Sequence, residues 1–214
     1  LLMVIIAGRI TPAFTRNWLL RNGRHGSRVR QRPRVDLAAI ASTAAVMLCA
    51  PFGPSAWPVA GLALLAAGLN AWRLAGWAGW QTRSDPLMWV LHIGYGWIVI
   101  ALALRGLGIL TDAIPANAWV HAAGVGAMGT LVLGVMSRVA LGHTGRPLAL
   151  PATGTGMLLA ITAAALLRTA TALGWVTSDW ALYLAAALWM LAFAWFLVLY
   201  AGILTRPRVD GQPG

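Results

Sequence analysis

The chain has 214 residues, of which 59% are hydrophobic and only 10% are charged, and its mean hydropathy is +0.74. This composition excludes a water-soluble domain and indicates an integral membrane protein. The net charge of +11 comes from arginine and aspartate, because the sequence contains no lysine and no glutamate. Eight arginines lie within residues 9–34, where the positive-inside rule explains them without a nucleic-acid partner.

The first residues, 1–8, are apolar but too few to cross a bilayer, and we interpret them as the end of a truncated transmembrane helix. Residues 9–35 follow as an arginine-rich loop, predicted to be cytoplasmic. Within this loop, Pro12 is a suitable first residue for a short helix lying at the membrane surface. We expect His25, in the same loop, to be solvated.

Six apolar segments follow, each of which is long enough, or nearly so, to cross a hydrocarbon core of about 30 Å. We place them at 36–53, 56–76, 86–109, 117–140, 152–175 and 180–204. The predicted fold is therefore all-α: a polytopic transmembrane bundle of about six full spans after a truncated N-terminal helix. The membrane domain covers residues 36–204, and residues 205–214 form a tail.

Arginines separate the connections between these segments into two groups. The loop of residues 9–34, the connections at 73–85 and 138–150, and the tail contain arginine, whereas the other connections have none within the loop. The positive-inside rule then predicts that the arginine-bearing connections and the C-terminus are cytoplasmic. Tryptophans near the ends of the segments, Trp77 among them, are typical of an interfacial belt.

The third and fourth segments contain the residues most suited to chemistry. His92 and Tyr95 are spaced i, i+3 and share a helix face, and Gly94 and Gly96 between them allow a helix or a flat cofactor to approach closely. His121 and Met128 share a face of the next segment. Straight helices place His92 and His121 at heights that differ by roughly 15 Å, too far apart to share one ion.

Two interpretations of these histidines are open. Each ring can bond a carbonyl or hydroxyl of a neighbouring helix, or it can bind haem iron, copper or zinc. The following turn, residues 142–147, contains His143 and Arg146. Arg138, just before this turn, and Arg146 within it are open to two interpretations. They reflect membrane topology and contact with lipid, or they clamp an anion such as a haem propionate. Arg168 either extends outward or pairs with Asp179.

Four stretches of the sequence resemble the NnrS family. They are GRITPAFTRNW from Gly8, WVLHIGYGW from Trp89, HAAGVGAMG from His121 and, most specifically, VMSRVALGHTGRPL from Val135. The resemblance covers nearly the whole chain and corresponds to the C-terminal half of the family's proteins. It implies a bacterial inner-membrane protein that contains haem and copper and takes part in the response to nitric oxide and nitrosative stress.

The resemblance also assigns roles to residues. It makes His92, His121 and His143 candidate metal ligands, and Arg138, Arg146, Tyr95 and Met128 candidate cofactor contacts. The implied partners are the missing N-terminal half and nitric oxide. Catalysis and sensing both fit this pattern. Two alternatives are half of a secondary transporter or channel, and a membrane assembly partner without a cofactor.

Overall fold

The computed structural model describes residues 1–53 and 57–211, and within these ranges the chain forms seven α-helices. They are α1 (Leu2–Arg21), α2 (Pro33–Cys49), α3 (Trp57–Ala75), α4 (Pro86–Leu110), α5 (Ala118–His143), α6 (Gly154–Ala172) and α7 (Asp179–Leu204). The start of the predicted span at residue 56 and the last residues of the tail, 212–214, lie outside the described residues.

The all-α membrane fold is confirmed. In the described part of the chain, five helices, α3 to α7, are long and apolar enough to cross a membrane. From α3 onward, each helix boundary lies within three residues of the predicted one. The first predicted span corresponds to α2, which has 17 residues and is therefore only about 26 Å long.

The N-terminal region differs from its prediction. One helix, α1, runs from Leu2 to Arg21 through the expected break after residue 8, so the prediction that Pro12 begins a separate helix is wrong. A proline inside a helix removes one backbone hydrogen bond. Here packing outweighs that loss, because a regularly spaced face of α1 is buried. That face comprises Val4, Ala7, Gly8, Thr11, Pro12, Thr15 and Leu19.

The centre of the bundle is α4, which contacts α1, α3, α5 and α6. It begins at Pro86, a favoured first helical residue, and the carboxylate of Asp85 accepts a hydrogen bond of 2.9 Å from the N–H of Leu87. Small residues bring neighbouring backbones together: a Cβ at Gly94 would lie 2.8 Å from Leu131 Cγ of α5. Of the two neighbours predicted for Gly94, a helix or a flat cofactor, the structure places helix α5 there.

Helix α5 is π-helical from Ala122 to Gly129, a stretch with three glycines. Such segments are rare and often lie at functional sites. Gly126 is needed here for packing, since a Cβ would lie 2.5 Å from the Trp97 ring. The segment begins immediately after His121.

The connections that contain arginine meet at one end of the bundle. Arg24 Nη1 donates to the carbonyl of Gln81 at 2.7 Å, and the N–H of Arg30 donates to the carbonyl of Gly76 at 2.8 Å. Elsewhere at this end, Arg208 Nη1 donates to the carbonyl of His143 at 2.9 Å.

Helix α7 is the least buried of the five long helices, as expected for a helix that faces lipid.

Candidate functional site

His92 lies half-buried on α4 in an orientation fixed by hydrogen bonding. Its Nδ1 atom is 3.0 Å from the carbonyl oxygen of Met88. A carbonyl only accepts, so Nδ1 carries the proton of the neutral ring and Nε2 carries the lone pair. Nε2 is 3.3 Å from Thr15 Oγ1, whose hydroxyl is also 2.8 Å from the carbonyl of Thr11. Metal-ligating histidines commonly donate their other ring N–H to a backbone carbonyl in the same way.

A buried guanidinium lies beside the same part of α4. Arg138 of α5 is only 5% exposed, and its Nη1 is 3.4 Å from the Met88 sulfur. Its Cζ lies 4.4 Å from the centre of the Phe14 ring. Met88 therefore contacts both His92 and Arg138, and consecutive residues of α1, Phe14 and Thr15, reach the same two side chains. Two of the predicted site residues, His92 and Arg138, thus share contacts with Met88 and α1.

Asp85 is the acidic residue associated with this region. Burial raises the pKa of its carboxyl group above the usual value. The hydrogen bond from Leu87, the charge of Arg138 and a hydrogen bond with the Trp18 side chain act in the opposite direction. Among the described residues, no carboxylate forms an ion pair with Arg138, so this buried cation has capacity for a further anionic group.

His121 has a different environment. Its Nε2 atom is 2.8 Å from Arg168 Nη2, and Arg168 also donates to Thr171 Oγ1 at 3.1 Å. Arg168 therefore contacts His121 and Thr171, whereas the sequence suggested an outward orientation or a bond with Asp179. Because a guanidinium only donates, Nε2 of His121 uses its lone pair as the acceptor. In this arrangement His121 does not fit a metal ion at Nε2.

Met128 is 54% exposed and lines the same open groove as His121. The groove has a volume of about 500 Å³ and lies between α5 and the Trp189 and Phe193 side chains of α7. A Cβ at Gly124 would meet nothing within 4 Å there. The face shared by His121 and Met128 is thus open on its outer side.

The predicted turn residues lie at the arginine-rich end. His143 is exposed in the last turn of α5, and its carbonyl is occupied by Arg208. Arg146 Nη1 is 3.4 Å from the carbonyl of Ile203, close to the C-terminal end of α7, where a cation is favourable. Arg138 and Arg146 therefore contact different elements. Within residues 1–53 and 57–211, no three His, Cys, Asp or Glu side chains are grouped to hold one metal ion.

Sequence reasoning missed a buried polar network around Arg73. Arg73 is 6% exposed and its Nε donates to Asp36 Oδ1 at 2.6 Å. Its Nη1 donates to the carbonyl of Val4 at 3.0 Å and to the Tyr95 hydroxyl at 2.9 Å. Tyr95 in turn donates to Asn70 Oδ1. These bonds connect α1, α2, α3 and α4.

The network uses Tyr95, which was a predicted cofactor contact. Tyr95 is fully buried, and its hydroxyl is bonded to both Arg73 and Asn70. Trp77 packs edge-on against the Tyr95 ring with 4.5 Å between centroids, and lies 6.5 Å from the His92 ring. Tyr95 and Trp77 thus connect the Arg73 network to His92 through packing.

A signal for this network was present in the sequence. Asp36 stands at the start of one predicted span and Arg73 near the end of the next, which places them at the same height. Asn70 and Arg73 are spaced i, i+3 on one face of an otherwise apolar segment. Charged and amide side chains inside an apolar span are expected to pair with one another.

Gly8→Ala is expected to destabilise the protein by about 1–3 kcal/mol through overpacking. A Cβ at Gly8 would lie 2.2 Å from Arg73 Nη1, so the guanidinium must move away from Val4 and Tyr95. Chemical unfolding of the detergent-solubilised protein measures the change. The control is Gly61→Ala in α3, where a Cβ meets nothing within 4 Å. Equal stability of the two variants would contradict the close packing of Arg73 against α1.

Comparison with known proteins supports the resemblance seen in the sequence. The family model described as NnrS protein matches residues 1–208. No curated protein and no solved structure matches the chain. The family match covers the polar network, His92, His121 and the turn at residues 142–147, and on this basis the chain belongs to the NnrS family.

Proposed function

We propose that this chain holds haem or copper within the membrane and takes part in the response to nitric oxide and nitrosative stress. Membership of the NnrS family suggests this role. The observation that carries the proposal is that two predicted site residues contact Met88 through different atoms: His92 Nδ1 is 3.0 Å from its carbonyl oxygen, and Arg138 Nη1 is 3.4 Å from its sulfur. His92 Nε2 is 3.3 Å from the Thr15 hydroxyl, so a metal ion at this atom requires Thr15 to move aside. Arg138 is a buried guanidinium that can neutralise an anionic group.

The two side chains fit different parts of a cofactor. Neutral imidazole suits haem iron and copper, and the bond from Nδ1 to Met88 keeps Nε2 in the ligating form. The Arg138 guanidinium suits a carboxylate such as a haem propionate. If His92 holds iron or copper, the metal would supply the capacity to bind nitric oxide.

The other predicted site residues are less suited than His92 and Arg138 to hold a cofactor in this conformation. His121 becomes a ligand at Nε2 only if Arg168 moves away, because the cation lies 2.8 Å from that atom. His143 and Arg146, at the arginine-rich end, are proposed contacts for a second group or for lipid. Tyr95 is proposed to hold the His92 ring in position through Trp77, which packs between them. Met128 is proposed to line the groove beside His121.

The proposed location is the bacterial inner membrane, with the arginine-rich end and the C-terminus in the cytoplasm. The N-terminal half of a longer family protein is the proposed partner. A transporter half or a cofactor-free assembly partner is not favoured, because the match to the NnrS family supports neither.

The test uses protein purified from membranes, with an absorption spectrum and a metal analysis. We expect a Soret band or bound copper in the native chain, and loss of most of it in His92→Ala. The control is His25→Ala, which removes an exposed histidine ring in the loop between α1 and α2. We expect this variant to have the same absorption spectrum as the native chain. A colourless, metal-free native protein would contradict the proposal, as would a His92→Ala variant with an unchanged spectrum and metal content.

A further inference from the structure

The loop between α1 and α2 and the loop between α3 and α4 enclose a strongly basic groove. One part has a volume of about 500 Å³ and is lined by Arg24, Arg28 and Arg83. The adjoining part, of about 750 Å³, is lined by Arg28, Arg30 and Arg32. Arg28 and Gln81 line both parts, which makes one continuous groove with five guanidinium groups.

The groove is built by specific contacts. The N–H of Arg30 bonds the carbonyl of Gly76 at 2.8 Å, and Arg24 bonds the carbonyl of Gln81 at 2.7 Å, so the two loops are held together. Gly76 is required for this approach, because a Cβ there would lie 2.7 Å from the carbonyl oxygen of Arg30. These contacts hold the two walls of the groove against each other.

Tryptophan rings pack against two of the guanidinium groups. Arg83 Cζ lies 4.6 Å from the Trp80 ring centre, and Arg32 Cζ lies 5.4 Å from that of Trp72. Trp80 and Trp72 are themselves 76% and 53% exposed. Exposed tryptophans at helix ends mark the headgroup level of a bilayer, so the groove opens where lipid headgroups lie.

The charge of the groove is not neutralised by the protein. Among the described residues, none of the five arginines forms an ion pair with a carboxylate. The acidic residues closest in sequence are used elsewhere, since Asp36 pairs with Arg73 and Asp85 caps α4. Positive-inside topology explains the number of arginines, but it does not explain their convergence on one cavity.

We propose that this groove binds the phosphate group of an anionic phospholipid headgroup. Guanidinium groups match the geometry of phosphate oxygens and donate paired, bidentate hydrogen bonds to them. Basic pockets between helices on the cytoplasmic side are a recurring means of lipid recognition. The lipid would then join the α1–α2 loop to the α3–α4 loop, next to the segment that carries Trp77.

The test measures lipid binding to delipidated protein in neutral detergent by native mass spectrometry. The probes are phosphatidylglycerol, phosphatidylcholine and inorganic phosphate. We expect binding of phosphatidylglycerol, little binding of phosphatidylcholine, and an affinity about tenfold lower for phosphatidylglycerol in Arg28→Gln/Arg83→Gln. Both altered side chains are exposed, so the variant is expected to fold.

The matched control is Arg34→Gln/Arg206→Gln, which removes two exposed arginines that do not line the groove. We expect it to keep the native affinity. Equal affinity of the native protein and Arg28→Gln/Arg83→Gln would overturn the proposal, and so would equal binding of the two lipids. If inorganic phosphate alone binds in an Arg28-dependent manner, the lipid assignment is overturned in favour of a free-phosphate site.

Discussion

Arg73→Ala is expected to cost about 3–5 kcal/mol of stability, the range observed when one partner of a buried ion pair is removed. The substitution leaves Asp36 without its cation and removes the donor to Val4 and Tyr95. The loss affects four helices at once, so we expect a lower unfolding midpoint in detergent. Arg73→Lys is expected to recover only part of the loss, because an ammonium lacks the planar fork that reaches several acceptors.

The control for Arg73→Ala is Arg206→Ala, which removes an exposed arginine near the C-terminus. We expect this change to stay within about 0.5 kcal/mol of the native protein. The double variant Gly8→Ala/Arg73→Ala gives a further check. Since the Gly8 substitution acts through Arg73, the two effects should not add. Full additivity would show that Arg73 and Gly8 stabilise the fold independently.

Trp77→Ala is expected to cost about 3–5 kcal/mol, as for other large aromatic side chains removed from a packed interior. Trp77 is 1% exposed, and Arg73 Cζ lies 5.6 Å from its ring centre. Its removal opens a cavity between the Tyr95 and His92 rings. We therefore expect weaker cofactor retention as well as lower stability, measured by unfolding and by absorption on the same sample.

Trp175→Ala provides the comparison for Trp77→Ala. The Trp175 side chain is 77% exposed, so its removal creates no cavity in the protein. We expect little change in the unfolding midpoint and no change in the absorption spectrum. If Trp175→Ala and Trp77→Ala are equally destabilised, the Trp77 side chain does not stabilise the protein by packing in its interior.

The sequence predicts the helices of this bundle well because composition and length are strong signals in a membrane protein. The start of α4 at Pro86 was predicted to the residue, since proline follows a capping aspartate there. The region before α2 was predicted less well. Pro12 normally marks a helix start, and its place inside α1 depends on packing against other helices, which no local pattern reveals.

The candidate site was only partly predictable for a related reason. His92 was selected because an ionisable residue in an apolar span is unusual, but its tautomer depends on the Met88 carbonyl. Trp77 was assigned to an interfacial belt from its position near a helix end, yet it is buried. The contact between His121 and Arg168 joins residues 47 positions apart, and single-sequence patterns do not pair distant residues.

The helices differ in length in a way that constrains the surrounding bilayer. With 19 residues each, α3 and α6 measure about 29 Å, whereas α7, with 26 residues, measures about 39 Å. A hydrocarbon layer of about 30 Å matches the shorter helices, so the longer ones must tilt or project into the headgroups. A thicker layer would have to thin locally beside α3 and α6, whereas a thinner one would increase the tilt or projection of α4, α5 and α7, which have 25, 26 and 26 residues.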